Sequence, residues 1–565
     1  MKKTVSVLLA VIMLLSCFSF GVSAAEKPEL CFALASDLHY NLPDEEFEHN
    51  NDDEIFFYAN RRAAMENESG AIIDEFLRQC AADASVQYVL ISGDMADNGK
   101  TVPEEHYSVA EKLRAFENAT GKDVFVINGN HDAGDNCATT LDDFKSIYSD
   151  LGYDKALETR ADDCSYTADL GDEYRLIALD SNAPDKSTED GMTAAKLLWV
   201  KRQAEKAYAD SRYPVVMMHH NLLDHMPLQR IISHDFIVRF HYTTASLFAD
   251  WGIKLVMSGH EHCSDAASYT SAAGNTVYDF ATTSLTMYPL QYRVMTLSDG
   301  KIDYEAKTVD SIDTASLKAV QPLFSEKQLA LMNEGLNDYA KTFLQKGVEY
   351  RLELSLTPEK MHISEDDFYY DLVMTAVNGL TDIVRMPLYG ENSISELAAQ
   401  YNIEIPASGY KTGWDLATSL VAMHYEGEEA FDLDSPEVTI LLRTLALILR
   451  TDLPSVNDNV FLKAATALLE SNGYAPLSES ITKLCCSIFG GVKPGEYFLV
   501  AAISPFLYEF AFDNDNVNDN NGSLDGYKEK NVKDNAMNVL AKLKSKVETV
   551  LLYFKLFIKE IAKMF

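Results

Sequence analysis

Five short clusters of polar residues hold most of the side chains in this sequence that are able to do chemistry. They occur in the order Asp37-Leu38-His39, Gly93-Asp94-Met95-Ala96-Asp97, Gly129-Asn130-His131-Asp132, His219-His220 and Gly259-His260-Glu261-His262. Each cluster follows an apolar run, where a packed core needs neither an imidazole nor a carboxylate. One such pair alone is common on protein surfaces, but five in this order indicate a functional site.

The donor types predict a site for two metal ions. Carboxylate oxygens and imidazole nitrogens without thiolates suit Zn, Mn, Fe or a similar divalent ion. Alternate residues, such as Asp37 and His39, leave an extended chain on the same side and are able to flank one ion or two neighbouring ions. Two divalent ions about 3.5 to 4 Å apart lower the pKa of a shared water and bind both oxygens of an in-line displacement at phosphorus.

These clusters need a scaffold that brings distant parts of the chain together. From residue 29 to about 310, short apolar runs alternate with helical stretches, which is typical of an α/β domain. The predicted strands are Leu30–Ala35, Tyr88–Ile91, Val124–Ile127, Leu176–Leu179, Val215–Met218 and Lys254–Met257, and the hairpin Tyr292–Leu297 with Ile302–Val309 follows. In such a sheet the carboxyl ends of the strands converge on one crevice, where we expect the five clusters to meet.

The composition and the predicted secondary structure of the sequence change after about residue 310. Long segments rich in Leu, Ala, Glu and Lys predict helices, among them Glu326–Phe343, Val438–Arg450 and Phe461–Glu470. We therefore expect a catalytic domain over residues 26–310 and a helical domain over residues 311–512.

The C-terminal part has two further segments. Residues 513–531 are rich in Asn and Asp and are interpreted as an exposed loop or linker. Residues 532–565 carry apolar side chains at heptad spacing among several lysines, which predicts an amphipathic helix. This helix is expected to dock on the helical domain, and peripheral contact with a membrane surface or a partner is the alternative.

The overall charge excludes one class of function. The chain has 565 residues, with 86 Asp and Glu against 48 Lys and Arg, and a formal net charge of -38. Binding to a nucleic-acid polymer depends on neutralising phosphates with Lys and Arg, so we expect none. Two divalent ions would nevertheless bring four positive charges to the site, of which Asp37 and Asp94 remove two, so the cleft itself is expected to be cationic.

The first residues predict export. Lys2 and Lys3 precede an apolar run from Val5 to about Phe20, and the small-residue pattern of Val22–Ala24 follows. This is typical of a cleaved signal peptide over residues 1–24 and indicates a secreted protein. A lipoprotein anchor at Cys17 is the weaker alternative, because the apolar run continues past the cysteine. We expect no later membrane span.

The five blocks resemble, block for block, the calcineurin-like metallophosphoesterase superfamily over about residues 30–265. The family pattern is D-x-H, GD-x-x-D/Y, GNH-D/E, H-x-P and GH-x-H. The sequence is most similar to bacterial class III cyclic nucleotide phosphodiesterases, some exported members of which carry a C-terminal helical domain. The resemblance implies an α/β (α+β) double β-sheet sandwich flanked by helices, followed by a mainly α-helical C-terminal domain. It also implies two divalent metal ions as cofactors, with Mn, Fe and Zn as candidates.

The resemblance further implies two sets of metal ligands. One ion would be held by Asp37, His39 and His262. The other would be held by Asn130, His219 and His260, and Asp94 would bridge the two. Substrate contacts would come from Asn130, His131 and His220.

The fourth block departs from the family pattern. It reads His219-His220-Asn221, without the proline that usually stands two residues after the liganding histidine. Alignment favours His219 as the ligand, and His220 stays the alternative. Asp97 stands where purple acid phosphatases have an iron-binding tyrosine, which argues against an iron centre of that type.

The resemblance also implies that His131 acts as general acid toward the leaving oxygen while Asp97 holds its imidazole. A nearby carboxylate orients such a ring and favours imidazolium, the form that donates a proton. Asp132 is the alternative orienting group. The remaining histidines of this half are interpreted as ordinary polar or half-buried residues, namely His225, His234 and His241.

These expectations combine into a secreted hydrolase that cleaves a phosphodiester bond of a cyclic nucleotide or a related small diester. The attacking group implied by the resemblance is a metal-bridging hydroxide. One alternative is a secreted phosphomonoesterase of phosphatase or nucleotidase type. Another is a non-catalytic surface or adhesion protein with a vestigial metal site, and the complete set of ligand-type residues argues against it.

Overall fold

The structure is a computed structural model. It describes residues 29–43, 63–182, 191–226, 229, 234–298, 300–355, 357–359, 364–367, 370–427, 435–462, 464, 493, 495–496 and 517–527. The predicted signal peptide and the predicted C-terminal amphipathic helix lie outside these residues, as does most of the helix predicted over Phe461–Glu470.

A six-stranded mixed sheet carries the first three clusters. Its strands are β1 (Leu30–Ala35), β2 (Tyr88–Ile91), β3 (Asp123–Val126), β11 (Gln291–Ser298), β12 (Lys301–Thr308) and β13 (Asn521–Asp525). The strand order is β13-β12-β11-β1-β2-β3. Strands β1, β2 and β3 are parallel, and the other three pair antiparallel. The predicted hairpin is confirmed as β11 and β12.

A seven-stranded mixed sheet carries the other two clusters. Its strands are β4 (Glu158–Thr159), β5 (Tyr166–Leu170), β6 (Tyr174–Leu179), β7 (Tyr213–Met218), β8 (Leu255–Ser258), β9 (Asp265–Thr270) and β10 (Thr276–Ala281). The strand order is β4-β5-β6-β7-β8-β10-β9. Strands β6, β7, β8 and β10 are parallel neighbours.

Helices cover the sheets. Those between the strands are α1 (Ser69–Ala82), α2 (Pro103–Thr120), α3 (Leu141–Ile147), α4 (Ala194–Ala209) and α5 (His241–Asp250). Helix α3 begins with a capping box, in which Thr140 and Asp143 satisfy each other's backbone N–H groups.

The period of two along β7 shows how the layers are built. Val215 and Met217 lie in a core that contains side chains of both sheets, whereas Val216 and Met218 lie in a second core with side chains of α4 and α5. A strand that is apolar on both faces is covered on both sides, by the other sheet and by helices. The fold is therefore the expected double-sheet sandwich flanked by helices.

The C-terminal region is helical, as predicted. Its helices are α6 (Thr314–Val320), α7 (Glu326–Glu334), α8 (Leu336–Ser355), α9 (Tyr370–Arg385), α10 (Ile394–Ala399), α11 (Gly413–Glu426), α12 (Pro436–Thr451) and α13 (Pro454–Asn457). The single helix predicted over Glu326–Phe343 is divided at Gly335 into α7 and α8. No helix in the described ranges is long and apolar enough to cross a bilayer.

The helical region has two kinds of contact. Side chains of α9 to α12, such as Ile383, Leu416 and Leu447, form a core of their own. Phe324 and Phe343, in contrast, lie in the same core as side chains of both sheets. The first helices after residue 310 therefore pack directly on the sandwich.

The Asn/Asp-rich stretch differs from the loop or linker predicted for residues 513–531. Its residues 521–525 form β13, which pairs antiparallel with β12. Beside this strand, Asp519 Oδ1 accepts the backbone N–H of Ala266 at 3.0 Å, and Asn520 Nδ2 donates to the Glu426 carbonyl at 2.7 Å. The side chains of Asp519 and Asn520, which the sequence predicts to be solvent-exposed, thus form hydrogen bonds to the sandwich and to helix α11.

Candidate metal centre

The seven predicted metal ligands all lie in loops at the carboxyl ends of parallel strands. Strand β1 is followed by Asp37 and His39, β2 by Asp94, β3 by Asn130, β7 by His219, and β8 by His260 and His262. Backbone hydrogen bonds hold these loops together. The N–H of Asp37 donates to the carbonyl of Gly93 at 3.0 Å, and the N–H of Gly259 donates to that of His219 at 2.9 Å. Parallel strand direction in each sheet thus brings the ligands to one edge.

Five of these ligands have backbone conformations that L-amino acids rarely adopt. Their φ values are +51° at Asp37, +39° at His39, +50° at Asp94, +67° at His260 and +64° at His262. Each such conformation costs about 1 to 3 kcal/mol and persists only where the surrounding structure imposes it. Strain of this kind concentrates at functional sites, so its occurrence at five ligands supports a functional role for the cluster.

Two motif glycines are required by close packing. A Cβ atom at Gly129 would lie 2.1 Å from Asp94 Oδ1. A Cβ atom at Gly259 would lie 1.8 Å from Ser36 Oγ and 2.4 Å from Asp37 Oδ2. Any larger residue at either position would displace a carboxylate of the site, which gives a physical reason for the glycine in the GNH and GH-x-H blocks.

The first ligand set comes together around one carboxylate oxygen. Asp37 Oδ1 lies 3.1 Å from His262 Nε2 and 3.8 Å from His39 Nε2, and the two imidazole nitrogens are 3.3 Å apart. These three ligand atoms lie within 4.8 Å of one another. This is the arrangement predicted for one metal ion.

The second ligand set lies beside the first. His219 Nε2 is 3.3 Å from Asp94 Oδ2 and 2.9 Å from Asn130 Oδ1. Asp37, Asp94, His219 and His260 each place a ligand atom within 4.8 Å of the others. Asp94 Oδ2 is also 3.8 Å from His39 Nε2. This one oxygen therefore lies between the two sets, where a bridging ligand belongs.

The Nδ1 atoms of three imidazoles contact acceptors outside the ligand set. His39 Nδ1 lies 3.0 Å from Asp97 Oδ1, His219 Nδ1 lies 2.9 Å from the Ser92 carbonyl, and His262 Nδ1 lies 3.0 Å from the Met287 sulfur. A proton on Nδ1 leaves the lone pair on Nε2, which is the nitrogen that faces the cluster in each case. Such contacts fix the tautomer and the orientation of histidine ligands.

Burial and mutual charge set the protonation of the cluster. Burial raises the pKa of Asp37, but the imidazoles of His262 and His219 outweigh it and lower that pKa to about 2. Burial lowers the pKa of His219, but Asp94 and Asp37 raise it to about 9. The pKa of His260 lies well below its usual value, because burial is reinforced by the neighbouring His220 and His219. Ionised carboxylates and a neutral His260 are the forms that bind metal ions, whereas His219 has to release a proton when an ion binds.

The cluster fits a pair of divalent metal ions. His260 Nε2 is buried and has no hydrogen-bond partner among the described residues. A buried polar atom normally has a partner, so this nitrogen needs a ligand. A divalent cation held by these residues would accept the lone pair of this nitrogen. The donors are carboxylate and carboxamide oxygens and imidazole nitrogens, the set that suits Mn, Fe or Zn.

His131 lies against this cluster but is oriented differently from the prediction. Its backbone N–H donates to Asp94 Oδ1 at 2.8 Å, and its ring packs edge-on against His39 with centroids 5.0 Å apart. Its Nδ1 lies 2.7 Å from the backbone carbonyl of Asp97, whereas the carboxylate of Asp97 contacts His39. Asp97 and His131 are in contact, but the contact is made by the backbone carbonyl of Asp97. The Asp97 carboxylate instead orients His39, a predicted metal ligand.

Asp132, the alternative orienting group, holds backbone rather than the His131 ring. Its carboxylate accepts the N–H of Gly129 at 2.7 Å and that of Ala96 at 3.1 Å. It therefore joins the turns that carry the second and third blocks.

His220 does not occupy the place predicted for a substrate-binding residue. Its side chain is fully buried, its Nδ1 lies 2.8 Å from Ser181 Oγ, and its ring packs against the rings of His219 and His260. It belongs to none of the three groups of candidate ligands, one of which contains His219. A ring enclosed behind two ligands does not reach a substrate, whereas Asn130 and His131 are partly exposed.

Several contacts around the ligands have no signal in the sequence. Ser36 Oγ donates to Asp37 Oδ2, and the half-buried ring of Phe236 stacks on His260 with centroids 4.1 Å apart. The Met287 sulfur that contacts His262 is a third example. Serine, phenylalanine and methionine are too common for such roles to be recognised without coordinates.

Comparison with known proteins agrees with this geometry. Residues 32–264 match the family model of the calcineurin-like phosphoesterases. No curated protein matches the sequence. Solved structures that resemble the chain include a dimetal phosphatase from Danio rerio, with 14% identity, a TM-score of 0.36, and coverage of 50% of this chain and 97% of that one.

Two further structures resemble a similar share of the chain. One is an NAD nucleotidase from Haemophilus influenzae, with 10% identity, a TM-score of 0.26, and coverage of 50% of this chain and 48% of that one. The other is a phosphopantetheinyl hydrolase from Mycobacterium tuberculosis, with 11% identity, a TM-score of 0.23, and coverage of 45% and 89%. The family match and the ligand groups identify residues 32–264 as a calcineurin-like phosphoesterase domain, which is a domain of metal-dependent phosphoester hydrolases.

Proposed function

We propose that this chain is an exported phosphodiesterase with a dinuclear metal centre, acting on a cyclic nucleotide or a related small diester. The observation that carries the proposal is that the candidate ligands form overlapping groups, with Asp94 Oδ2 close to both His39 and His219. Asp37, His39 and His262 would hold one ion, and Asn130, His219 and His260 the other. When bound, two divalent ions supply an activated water and stabilise negative charge on the phosphoryl oxygens.

The described contacts of the central ligands support a diester substrate. In the described part of the chain, the ion pairs and side-chain hydrogen bonds of Asp37, Asp94 and His219 involve no lysine or arginine. A phosphomonoester carries between about 1.5 and 2 negative charges at neutral pH, whereas a diester carries one. A site without additional cations matches the less charged substrate better.

The choice between ester classes is tested with a matched pair of substrates. The metal-loaded protein is expected to hydrolyse bis-p-nitrophenyl phosphate with a higher kcat/KM than p-nitrophenyl phosphate. Both substrates release the same phenolate, so the comparison reports the ester class and not the leaving group. A preference for the monoester would instead support the phosphomonoesterase alternative. No hydrolysis of either ester would contradict the proposal.

His131 is placed to protonate the leaving oxygen. The contact of Nδ1 with the Asp97 carbonyl leaves Nε2 as the ring nitrogen able to donate, and the ring is partly exposed beside the ligand cluster. The backbone hydrogen bond from His131 to Asp94 fixes the distance of this ring from the bridging carboxylate. The chain thus provides a positioned acid next to the expected place of the phosphorus.

The variant His131→Gln is expected to lower kcat/KM by about 10²- to 10⁴-fold on a diester with an alkoxide leaving group, since this is the usual contribution of a general acid. The loss is expected to be much smaller on bis-p-nitrophenyl phosphate, whose phenolate leaves without protonation. His234→Gln, at an exposed histidine, is the control. Equal losses on the two substrates would show that His131 does not donate the proton.

Export is the remaining part of the proposal. It is supported by the lysines, apolar run and small-residue pattern at residues 1–24. N-terminal sequencing of the protein from culture medium is expected to begin close after Ala24. Protein that stays in the cytoplasm with its first residues intact would contradict export without affecting the assigned chemistry.

A further inference from the structure

The loops that carry His219 and His260 share a buried carboxylate that is not a ligand. Asp279 lies in the middle of β10, the parallel neighbour of β8, and is fully buried. Its Oδ2 accepts the backbone N–H groups of Leu222 at 2.6 Å and Leu223 at 2.9 Å. Its Oδ1 accepts the hydroxyl of Ser258 at 2.9 Å. One side chain therefore holds residues just after His219 and just before His260.

Two amide side chains extend this connection. Asn221 Nδ2 donates to Ser258 Oγ and to the Gly259 carbonyl, both at 3.0 Å. Gln229 Nε2 donates to Asn221 Oδ1 at 2.8 Å and to Glu261 Oε2 at 3.0 Å. The loops after β7 and β8 are thereby joined after His219 and on both sides of His260.

A buried histidine balances the charge of Asp279. His225 lies between two carboxylates, with Nε2 3.0 Å from Asp279 Oδ2 and Nδ1 3.0 Å from Asp265 Oδ1. Burial lowers the pKa of His225, but Asp265 and Asp279 outweigh it and raise that pKa well above its usual value. Asp265 begins β9, directly after the His262 loop. A buried charge network of this kind is costly to break and permits little movement of the groups it joins.

We propose that Asp279, with His225 beside it, is the positioning residue that sets His219 and His260 at the distance a divalent ion requires. This inference rests on the proposed metal centre and goes beyond it, because Asp279 touches neither a ligand side chain nor the expected substrate. Removal of a side chain that orients metal ligands usually weakens metal affinity about 10- to 100-fold. A purely structural carboxylate would change stability and leave metal affinity intact.

The test uses the metal-free full-length chain and Mn²⁺ as the probe, titrated by calorimetry. Asp279→Asn is expected to weaken Mn²⁺ binding about 10- to 100-fold. The matched control is Asp163→Asn, which also alters a buried carboxylate that accepts a backbone N–H and pairs with cations, namely Arg160 and Lys196. Among the described residues Asp163 contacts neither loop, so the Mn²⁺ affinity of Asp163→Asn is expected to stay within about twofold of the unaltered chain.

Ser258→Ala is the milder companion variant in case Asp279→Asn fails to fold. It removes the hydroxyl between Asp279 and Asn221, and a loss of about 2- to 10-fold in Mn²⁺ affinity is expected for one hydrogen bond. Unchanged Mn²⁺ affinity in folded Asp279→Asn and Ser258→Ala would overturn the inference. Failure of the unaltered chain to bind Mn²⁺, Zn²⁺ or Fe²⁺ would instead show that the proposed metal centre is wrong.

Discussion

Asp94→Ala is expected to lower phosphodiester hydrolysis by about 10³-fold or more. Asp94 Oδ2 lies 3.8 Å from His39 Nε2 and 3.3 Å from His219 Nε2, so its removal takes a ligand from both sets at once. A divalent ion contributes several kcal/mol of transition-state stabilisation, and each 1.36 kcal/mol corresponds to about tenfold in rate. The measurements are kcat/KM on bis-p-nitrophenyl phosphate and the number of metal ions bound per chain.

Two companion variants sharpen the Asp94 result. Asp94→Asn keeps the size of the side chain and one oxygen, so a smaller loss of metal is expected from it. Asp142→Ala, at an aspartate on α3 whose side chain is 91% exposed, should leave rate and metal content unchanged. Full activity and full metal content in Asp94→Ala would rule out the bridging role.

Tyr527→Ala is expected to lower the free energy of unfolding by about 4 kcal/mol, the usual cost of truncating a buried aromatic residue. The Tyr527 hydroxyl accepts the N–H groups of Lys254 at 3.0 Å and Leu255 at 3.1 Å and donates to the Pro214 carbonyl at 2.5 Å. Its ring stacks on Tyr213 with centroids 5.0 Å apart. Denaturant titration of the full-length chain measures the change.

Tyr527→Phe isolates the hydroxyl. It leaves two buried N–H groups without their acceptor, and a loss of about 1 to 3 kcal/mol is expected. Tyr107→Ala, at a tyrosine that is 58% exposed, is the control and is expected to change stability by less than about 0.5 kcal/mol. Unaltered stability in Tyr527→Ala would mean that the segment after residue 516 is not part of the folded sandwich.

The stability prediction bears on where the catalytic unit ends. A chain cut near residue 310 would lack β13, Asp519 and Tyr527. It would also lack Phe324 and Phe343, which lie in the core with side chains of both sheets. Such a truncation is therefore expected to lose stability before any effect of the helical region on substrate choice can be measured.

Much of the sandwich was predictable because its signals are local. The strands Leu30–Ala35 and Tyr88–Ile91 have the predicted bounds, since continuous apolar runs flanked by polar residues describe strands covered on both faces. The location of the clusters at the ends of strands was also predictable, because a ligand at the end of a parallel strand is adjacent in sequence to that strand. Residue type and position after the strands therefore predicted that the clusters would meet, and the family resemblance implied which side chains form each ligand set.

The atoms through which distant residues contact each other could not be predicted from the sequence. The resemblance implied that the Asp97 carboxylate holds the His131 ring, but in the structure the Asp97 carbonyl faces His131 while its carboxylate faces His39. His220 was the alternative to His219 as the ligand, and a one-residue difference along the chain turns its ring behind the site. Which atom faces which partner depends on backbone direction, and the sequence does not specify that.

Short sequence motifs thus determine which groups form the site, whereas the fold determines how these groups are positioned. The ligand types, their order and their place after strands follow from local sequence, because a metal ion demands particular donor atoms. The strained backbone at five ligands, the buried Asp279 between two loops and the C-terminal strand β13 follow only from tertiary packing. Each of them joins residues far apart in the chain, and no local pattern records a contact that exists only after folding.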